Sequence, residues 1–208
     1  MHSAVTLLFC LIMLGLSGCA SVGIFPPGPD GDATVDVVPR EIRITGIITQ
    51  ATANRVLGEL GRQTGDTITL RLDSPGGDVS AALQIHDWLR ESDRTVVTSV
   101  PDGAKCMSSC TLIFTAGDRR VAGPTARFRF HAPRYVGGVP LPGPLVTLIE
   151  DMTRRGIANN YSTVAPQLAR YLAEPGIRAL DSRRGLMITG ADLAARGDGF
   201  ITELGHAN

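Results

Sequence analysis

The sequence predicts an α/β fold built from alternating strands and helices around a largely parallel sheet. Short β-rich runs, such as EIRITGIIT at 41–49, alternate with longer runs that carry apolar residues at helical spacing, such as QATANRVLGELGRQ at 50–63. This alternation favours right-handed strand–helix–strand units, whose strands lie parallel in one sheet. The chain has 208 residues, a length that suits one domain with a substantial buried core.

The predicted elements follow one another in a regular order after residue 41. Pro75, Gly76 and Gly77 break the second strand, Asp78 is the expected N-cap of the next helix, and Gly117 ends the third helix. The elements are a strand at 41–49, a helix at 50–63, a strand at 66–77, a helix at 78–92, a strand at 94–100, a helix at 107–117, a strand at 126–133, a helical region at about 144–173, a short segment at 186–189 and a helix at 190–197.

The N-terminal segment has the pattern of an export signal. Residues 1–18 are an apolar run, too short to span a bilayer, that ends in small residues. LSGC at 16–19 resembles a bacterial lipobox, which predicts cleavage before Cys19 and lipidation of that cysteine. The alternative is a plain signal peptide followed by a chance cysteine. On the lipobox interpretation, 19–40 is a lipidated N-terminus and flexible tether, and 41–208 is a domain anchored on the periplasmic side of a bacterial membrane.

Composition and motifs exclude several classes of function. The 20 lysines and arginines balance the 20 aspartates and glutamates, so charge gives no indication of nucleic-acid binding. Lys105 is the only lysine, which limits mechanisms that need one. The sequence contains no HExxH, no Cys-X-X-Cys pair and no Walker loop, so we expect no metal ion and no other cofactor.

Three predicted strands end in residues that are unusual for simple turns. DSPGGD follows the second strand, CMSSC the third and FHAP the fourth. The ends of strands in an open α/β sheet converge on one crevice, where ligands usually bind. A Pro-Gly-Gly turn or a histidine after a strand is by itself more often structural than functional. The order and spacing of the three segments together therefore carry the prediction.

That combination resembles the proteolytic subunit of Clp protease and its crotonase-like superfamily. DSPGGDVSAALQIHDWLR at 73–90 is similar to the family's Ser-Pro-Gly-Gly turn and the helix after it. SSCTLIFTAGDRRVAGPTARFRFHAP at 108–133 is similar to its nucleophile helix, Ala-Gly turn, β-segment and His-X-Pro. The resemblance covers about residues 41–203 and implies a crotonase-like spiral of strand–helix–strand units. The Cys-X-Ser-X-Cys variant at 106–110 is similar to that of exported bacterial relatives.

The resemblance implies a set of catalytic residues. Alignment on Thr115-Ala116-Gly117 places the nucleophile at Ser108 rather than Ser109 and the catalytic histidine at His131. A serine hydroxyl is a weak nucleophile until a base takes its proton, and His131 is the one histidine at a suitable strand end. The implied oxyanion hole consists of the backbone N–H groups of Gly77 and Ser109.

The third member of the implied triad is where the sequence departs from the family. The aspartate of the family aligns most closely with Gly185, which has no side chain to orient a histidine. Asp181 lies four residues earlier and is the candidate if a local shift brings it near, whereas Asp192 fits the first turn of the last helix. A Ser-Lys dyad, as in signal peptide peptidase A, would have to use Lys105, which we expect to face solvent.

Cys106 and Cys110 remain once Cys10 is lost with the signal and Cys19 is used for lipid. Export would place them in an oxidising compartment, and a spacing of four residues on a helix brings two Cα atoms about 6 Å apart, within reach of a disulfide. The alternative is two small buried thiols that never pair. Both interpretations remain open at this level.

We therefore expect an exported, lipid-anchored serine peptidase that cleaves peptides or unfolded proteins without a cofactor. The family assembles into rings, so a homo-oligomer is expected, with the helical region at 144–173 as the candidate interface. An exported protein has no ATP supply, so no ATPase partner is expected. Two alternatives belong to other classes: a catalytically weak or inactive binding or scaffold lipoprotein, indicated by Gly185, and a crotonase-type acyl-CoA enzyme.

Overall fold

The computed structural model describes residues 31–38, 40–137 and 139–205. The predicted signal at 1–18, Cys19 and the first part of the predicted tether lie outside the described residues. The strands are β1 (Thr34–Val38), β2 (Glu41–Thr45), β3 (Thr67–Asp73), β4 (Thr95–Val100), β5 (Lys105–Met107), β6 (Arg119–Ala122), β7 (Arg127–Phe130), β8 (Leu186–Thr189) and β9 (Glu203–Leu204). The helices are α1 (Gln50–Arg62), α2 (Val79–Arg90), α3 (Cys110–Thr115), α4 (Gly143–Val164), α5 (Pro166–Ala173) and α6 (Gly190–Ala195), with a 3-10 turn at Ala179–Asp181.

The larger sheet confirms the predicted α/β class with a parallel-rich sheet. It has six strands in the order β1-β2-β3-β4-β6-β9. Only its edge strand β1 runs antiparallel to its neighbour, whereas each of the other neighbouring pairs is parallel. Strand β3 alternates buried isoleucine and leucine with half-exposed residues, and these buried side chains join the core.

A smaller sheet positions the candidate catalytic residues. Its order is β5-β7-β8, with β5 parallel to β7 and β7 antiparallel to β8. Met107 at the end of β5 lies opposite Arg129 on β7. Because parallel neighbours end at the same edge, the residues that follow β5 and β7 emerge side by side.

The core beneath this smaller sheet is aromatic. Phe114 of α3, Phe128 and Phe130 of β7, Tyr161 of α4 and Phe200 are buried and stack at ring-centroid distances of 5.1–6.4 Å. Tilted and edge-on arrangements of this kind stabilise packing beyond the burial of apolar area alone. The cluster therefore fixes β7, α3 and α4 relative to one another.

The structure corrects three boundaries predicted from the sequence. Residues 34–38, assigned to the flexible tether, form β1 because they pair in antiparallel register with β2. The helix predicted over 107–117 is shorter: residues 105–107 form β5, and α3 begins only at Cys110. The helical region at 144–173 is two helices, since Pro166 cannot donate the hydrogen bond that would continue α4.

Other local predictions are confirmed. Asp78 caps α2, with its carboxylate accepting hydrogen bonds from the amides of Ser80 and Ala81. The short segment at 186–189 is β8, and α6 follows it directly. Strands β6 and β9 were not predicted. Within the described ranges, the structure has no helix whose length and apolar character would let it cross a bilayer.

Candidate active site

The three unusual strand ends meet in one cleft. The cleft has a volume of about 490 Å³ and is formed by the turn after β3, the turn after β5, the segment after β7 and one face of α4. Its lining residues are Pro75, Gly77, Asp78, Val79, Ser80, Ser108, His131, Pro133, Arg134, Tyr135, Val136, Gly137, Ile149, Glu150 and Thr153. The structure thus brings together Gly77, Ser108 and His131, as the sequence predicted.

Ser108 forms a sharp elbow between β5 and α3. Its φ of +54° lies in the left-handed region, which is unfavourable for a residue with a side chain. The amide of Ser108 donates to the carbonyl of Arg129 on β7, 2.8 Å away, and the amide of Met107 donates to the carbonyl of Ser74. Strained backbone of this kind is characteristic of nucleophile elbows, where a hydroxyl is exposed between a strand and a helix.

The Pro-Gly-Gly turn packs directly against this elbow. Gly76 has a φ of +92°, and a Cβ on it would lie 2.4 Å from the Met107 carbonyl oxygen and 2.8 Å from the Ser108 Cβ. The Ser74 hydroxyl holds the turn in place by donating to the Gly46 carbonyl and accepting from the Gly76 amide. Only glycine fits at position 76, because any side chain would displace the elbow.

The two adjacent serines have different environments. Ser108 is partly exposed and lines the cleft. Ser109 is only 2 % exposed, and its Oγ has no hydrogen-bond partner among the described residues. The hydroxyl that a substrate can reach is therefore that of Ser108.

Two backbone amides beside Ser108 are free to donate hydrogen bonds to a negatively charged oxygen. Among the described residues, no acceptor is bonded to the amide of Gly77 or of Ser109. Gly77, with a φ of +154°, lies against Ile48, where a Cβ would lie 2.1 Å from the Ile48 carbonyl oxygen. The Ser109 nitrogen lies 3.1 Å from the point that a Gly76 Cβ would occupy, so the two amides belong to adjoining turns.

A disulfide joins Cys106 and Cys110 across the elbow. The two Cα atoms are 5.2 Å apart, and both cysteines are completely buried. The bond links the middle of β5 to the first residue of α3 and encloses Met107, Ser108 and Ser109. Of the two interpretations left open by the sequence, the structure has the bonded pair.

His131 lies at the end of β7, half-buried in the cleft wall. Its Nδ1 is 2.7 Å from the carbonyl oxygen of Ala132. A carbonyl only accepts hydrogen bonds, so Nδ1 carries the proton and Nε2 has the free lone pair of a base. No direct hydrogen bond joins Nε2 to the Ser108 hydroxyl in the described part of the chain.

The surroundings of His131 favour its neutral form. Burial lowers the pKa of His131 from its ordinary value, the hydrogen bond with Ala132 opposes this, and the charge of Arg129 lowers the pKa further. A neutral imidazole is the form that can accept a proton from serine.

The carboxylate expected to orient His131 is not beside it. A Cβ on Gly185, which has a φ of +62°, would lie 2.0 Å from the Phe130 carbonyl oxygen and 2.5 Å from the His131 Cβ, so no side chain fits there. Asp181 instead pairs with Arg178 at 3.1 Å and with Arg154 at 3.5 Å. The structure therefore does not bring Asp181 to His131, because two guanidinium groups hold its carboxylate elsewhere.

The other residues that the sequence offered as possible catalytic groups lie outside the cleft. Lys105 is in β5, and its amide donates to Asp73. His86 contacts Asp87 and Asn160 on the far side of α3. Asp192 accepts from the Thr189 hydroxyl in the first turn of α6, as the sequence predicted. The described residues contain no group of three or more potential metal ligands.

Sequence reasoning missed two contributions to the site. The role of the Ala132 carbonyl has no sequence signal, because every residue has a backbone carbonyl. The sequence indicated only a candidate interface between copies for the helical region at 144–173, and it did not reveal that Ile149, Glu150 and Thr153 of α4 line the cleft. Glu150 also accepts from the amide of Tyr135, which ties the segment after His131 to α4.

A family model matches the part of the chain that carries most of the candidate active site. The model of the Clp protease family matches residues 35–141, just over half of the 208 residues. The chain belongs to the Clp protease family. The matched residues include the Pro-Gly-Gly turn, the Ser108 elbow and His131 but not Asp181 or Gly185.

Individual Clp proteases are similar over part of their length. The chain is 32% identical over 130 residues to the ATP-dependent Clp protease proteolytic subunit 1 of Streptomyces avermitilis, an alignment that covers 59% of this chain and 60% of the relative. It is 34% identical over 108 residues to the ATP-dependent Clp protease proteolytic subunit 2 of Gluconobacter oxydans, covering 50% of this chain and 48% of the relative. The chain thus spans about half to three fifths of these relatives.

Solved structures of the family share the fold more completely. ClpP1 from Listeria monocytogenes superposes with a TM-score of 0.61 at 22% identity, covering 81% of this chain and 92% of that chain. A point mutant of the same ClpP1 gives a TM-score of 0.66 with the same identity and coverage. The predicted Clp-protease-like fold is confirmed.

Proposed function

We propose that this Clp protease family member is an exported serine peptidase that hydrolyses peptide bonds in peptides or unfolded proteins. The observation that carries the proposal is the strained Ser108 elbow, which presents its hydroxyl to a cleft shared with a neutral histidine and flanked by two free backbone amides. A nucleophile, a base and an oxyanion site are the three parts that acyl transfer requires.

The proposed reaction begins when His131 Nε2 takes the proton of the Ser108 hydroxyl. The serine oxygen attacks the substrate carbonyl carbon, and the carbonyl oxygen becomes an oxyanion held by the amides of Gly77 and Ser109. His131 then gives its proton to the leaving amine, and an acyl-enzyme remains on Ser108. Water, activated by the same imidazole, releases the acyl group and restores the serine.

Catalytic contact between the serine and the histidine has to form when substrate binds. Hydrogen bonds of this kind are often absent from a free enzyme and tighten in the substrate complex. The segment after His131 and α4 both line the cleft and are joined by the Glu150–Tyr135 contact. A peptide bound in the cleft would therefore contact this segment and could move the imidazole toward Ser108.

The Ala132 carbonyl takes the orienting place that a carboxylate has in a Ser-His-Asp triad. It fixes the same tautomer, with the proton on Nδ1. A neutral carbonyl stabilises the imidazolium ion less than a carboxylate does. We therefore expect a slower enzyme than one with a full triad.

Three features support export and lipid anchoring. LSGC at 16–19 has the lipobox pattern, and a segment rich in proline and glycine follows it. The Cys106–Cys110 disulfide suits an oxidising compartment, because such bonds are rare in the cytosol. The predicted site of attachment is Cys19, on the periplasmic side of a bacterial membrane.

We also propose a homo-oligomer that works without an ATPase partner and without a cofactor. The first half of α4 exposes Leu145, Leu148 and Met152, which are 41%, 54% and 63% accessible. Large apolar side chains at this spacing form a stripe along one helix face, which suits burial against another copy.

A binding or scaffold protein without activity is the second candidate. It is favoured by the place of Gly185, which excludes a side chain beside His131, and by the pairing of Asp181 with two arginines. Such a protein would keep the cleft for holding an extended peptide.

Turnover of a fluorogenic peptide library separates the two candidates. We expect the wild-type domain to cleave some members, Ser108→Ala to lose at least about 10³-fold in kcat/KM, and Ser109→Ala to stay within about threefold. Ser109→Ala is the matched control, since it removes the neighbouring hydroxyl and leaves the amide in place. Binding of the same peptides without turnover would overturn the peptidase and favour the second candidate.

A further inference from the structure

We propose that the hydroxyls of Thr111 and Tyr161 form a relay that orients the backbone amide of Ser109 in the oxyanion hole. This inference rests on the proposed peptidase function. Thr111 and Tyr161 are positioning residues: they lie outside the cleft and act through the peptide unit between Ser108 and Ser109.

The relay consists of two hydrogen bonds that converge on the elbow. The Thr111 hydroxyl donates to the carbonyl oxygen of Ser108, which also accepts the Thr111 amide at 3.0 Å. The Tyr161 hydroxyl lies 2.6 Å from the Thr111 hydroxyl. The Thr111 proton is used toward Ser108, so Tyr161 is the donor in the second bond.

The planarity of the peptide bond transmits this contact to the oxyanion hole. The Ser108 carbonyl and the Ser109 N–H belong to the same trans peptide unit, so they point in opposite directions. Fixing the carbonyl toward Thr111 therefore fixes the N–H toward the other side, where the Gly76 turn lies close to the Ser109 nitrogen. The relay determines where the amide points without touching a substrate.

Such a restraint matters because the elbow is strained. Ser108 occupies the left-handed region with a φ of +54°, a conformation that persists only where its surroundings impose it. A rotation of this peptide unit, which changes ψ of Ser108 and φ of Ser109, would turn the amide away from the substrate oxygen. The hydroxyl and the amide of Thr111, which both donate to the Ser108 carbonyl, oppose that rotation, and Tyr161 fixes the hydroxyl.

Tyr161 is a rigid anchor for the relay. Its ring packs edge-on against Phe130 at 5.4 Å and Phe200 at 6.4 Å, and the residue is 2 % exposed. Burial raises the pKa of Tyr161 well above its ordinary value, so the hydroxyl keeps the proton that it donates. The relay thus couples α4, whose first half lines the cleft, to the geometry of the nucleophile.

The test compares hydroxyl removal at the relay with hydroxyl removal elsewhere between the same helices. Thr111→Val removes the relay and keeps the shape of the side chain, and Tyr161→Phe removes only its outer hydroxyl. We expect kcat to fall about tenfold for Thr111→Val and about threefold for Tyr161→Phe with KM unchanged, because the amide binds only the transition state. Thr111→Ser, which keeps the hydroxyl, should restore most of the loss.

Thr115 provides the matched control. It lies on the same helix, its hydroxyl donates to the Leu112 carbonyl, and it contacts Asn160 of α4 at 2.9 Å. Thr115→Val therefore removes a similar bond between α3 and α4 at a distance from the elbow, and it should leave kcat unchanged. An equal fall in kcat for Thr115→Val and Thr111→Val would overturn the relay.

A double-mutant cycle tests the order of the relay. Tyr161 acts only through Thr111, so Tyr161→Phe should cause no further loss of kcat in the Thr111→Val background. An additional threefold loss there would show that the Tyr161 hydroxyl acts by another route, and it would contradict the proposal.

Crystal structures of the wild type and Thr111→Val keep this inference separate from the peptidase proposal. We expect the peptide unit between Ser108 and Ser109 to rotate, or to take two orientations, in Thr111→Val alone. An unchanged orientation would overturn the relay whatever the activity. Absence of turnover in a wild type whose peptide unit depends on Thr111 would overturn the peptidase and leave the relay standing.

Discussion

The two sides of the cleft are built in different ways. The serine side, residues 105–111, is held by a disulfide, by backbone bonds to Ser74 and Arg129, and by the tightly packed Gly76. The histidine side, residues 130–137, is held by one backbone bond from the Ala132 amide to the Ser182 carbonyl and farther along by Glu150, and the imidazole itself contacts only the Ala132 carbonyl. The proposed nucleophile and oxyanion donors are thus positioned in advance, whereas the imidazole of the proposed base has one hydrogen bond among the described residues.

On the proposed function, this difference indicates which part of the site is better ordered for catalysis. The oxyanion hole supplies a large share of the rate in acyl transfer, and serine hydrolases that lose triad members still exceed the uncatalysed rate by about 10³–10⁴. A protein that keeps the serine side intact can therefore remain an enzyme with a simplified histidine side. Changes on the serine side should be the more damaging ones.

Among changes that leave Ser108 and His131 in place, the largest effect is expected for Gly76→Ala. The new Cβ would lie 2.4 Å from the Met107 carbonyl oxygen at a φ of +92°, so the elbow must move. We expect kcat/KM to fall about 100-fold, the size of effect seen when one oxyanion donor is lost. Gly61→Ala is the control, because nothing lies within 4 Å of its Cβ. Full activity in Gly76→Ala would show that the serine side is not rigid.

Loss of the disulfide should cost about 2 kcal/mol in the free energy of unfolding, as expected for a short closed loop. Both cysteines are buried, so the paired variant Cys106→Ala/Cys110→Ala avoids burying new polar groups. Urea unfolding of the oxidised protein, the reduced protein and this variant measures the effect. Equal stability of all three would show that the bond does not brace the elbow.

A smaller effect is expected from acidic pH, which should lower kcat/KM through protonation of His131. Burial lowers the pKa of His131, so kcat/KM should stay level at neutral pH and fall about tenfold per pH unit only well below about 6.5. The same shift makes the contribution of His131 to stability full above its unfolded pKa and progressively lost as pH falls through the folded pKa. A midpoint above 6.5 in the rate profile would contradict this assignment of the base.

The smallest effect is expected for Asp181→Asn. Its carboxylate pairs with Arg178 and Arg154 and does not reach His131, so kcat should change by less than about twofold, whereas loss of a true triad aspartate costs about 10⁴-fold. Peptide turnover measures this directly. A loss of more than 100-fold would place Asp181 in the triad and remove the distinction between the two sides.

The sequence predicts that Ser108 and His131 lie in one site. It does not predict the contact with the Ala132 carbonyl that orients His131. Ser108 and His131 follow strands that end at one edge, which strand order alone makes predictable. Gly185 showed that a carboxylate was missing, but the Ala132 carbonyl that replaces it has no distinctive residue type. Asp181 was a reasonable candidate by distance along the chain, and two arginines from distant segments decided its position instead.

Boundaries were missed where tertiary contacts outweigh local pattern. Strand β5 has only three residues and exists because β7 and Ser74 pair with it, so a serine-rich segment looked like the start of a helix. Strand β1 lies in a segment with the composition of a linker, and its pairing with β2 makes it a strand. The Thr111–Tyr161 contact joins residues 50 positions apart, which no local spacing reveals.

Activation of Ser108 by His131 is tested most directly by peptide mapping with mass spectrometry after the wild-type protein reacts with a fluorophosphonate. Such probes form a stable bond only with a serine that a base has activated. We expect a single adduct on Ser108, which disappears in His131→Ala and persists in Asp181→Asn. An adduct on Ser109, or no adduct at any pH between about 6 and 9, would contradict it.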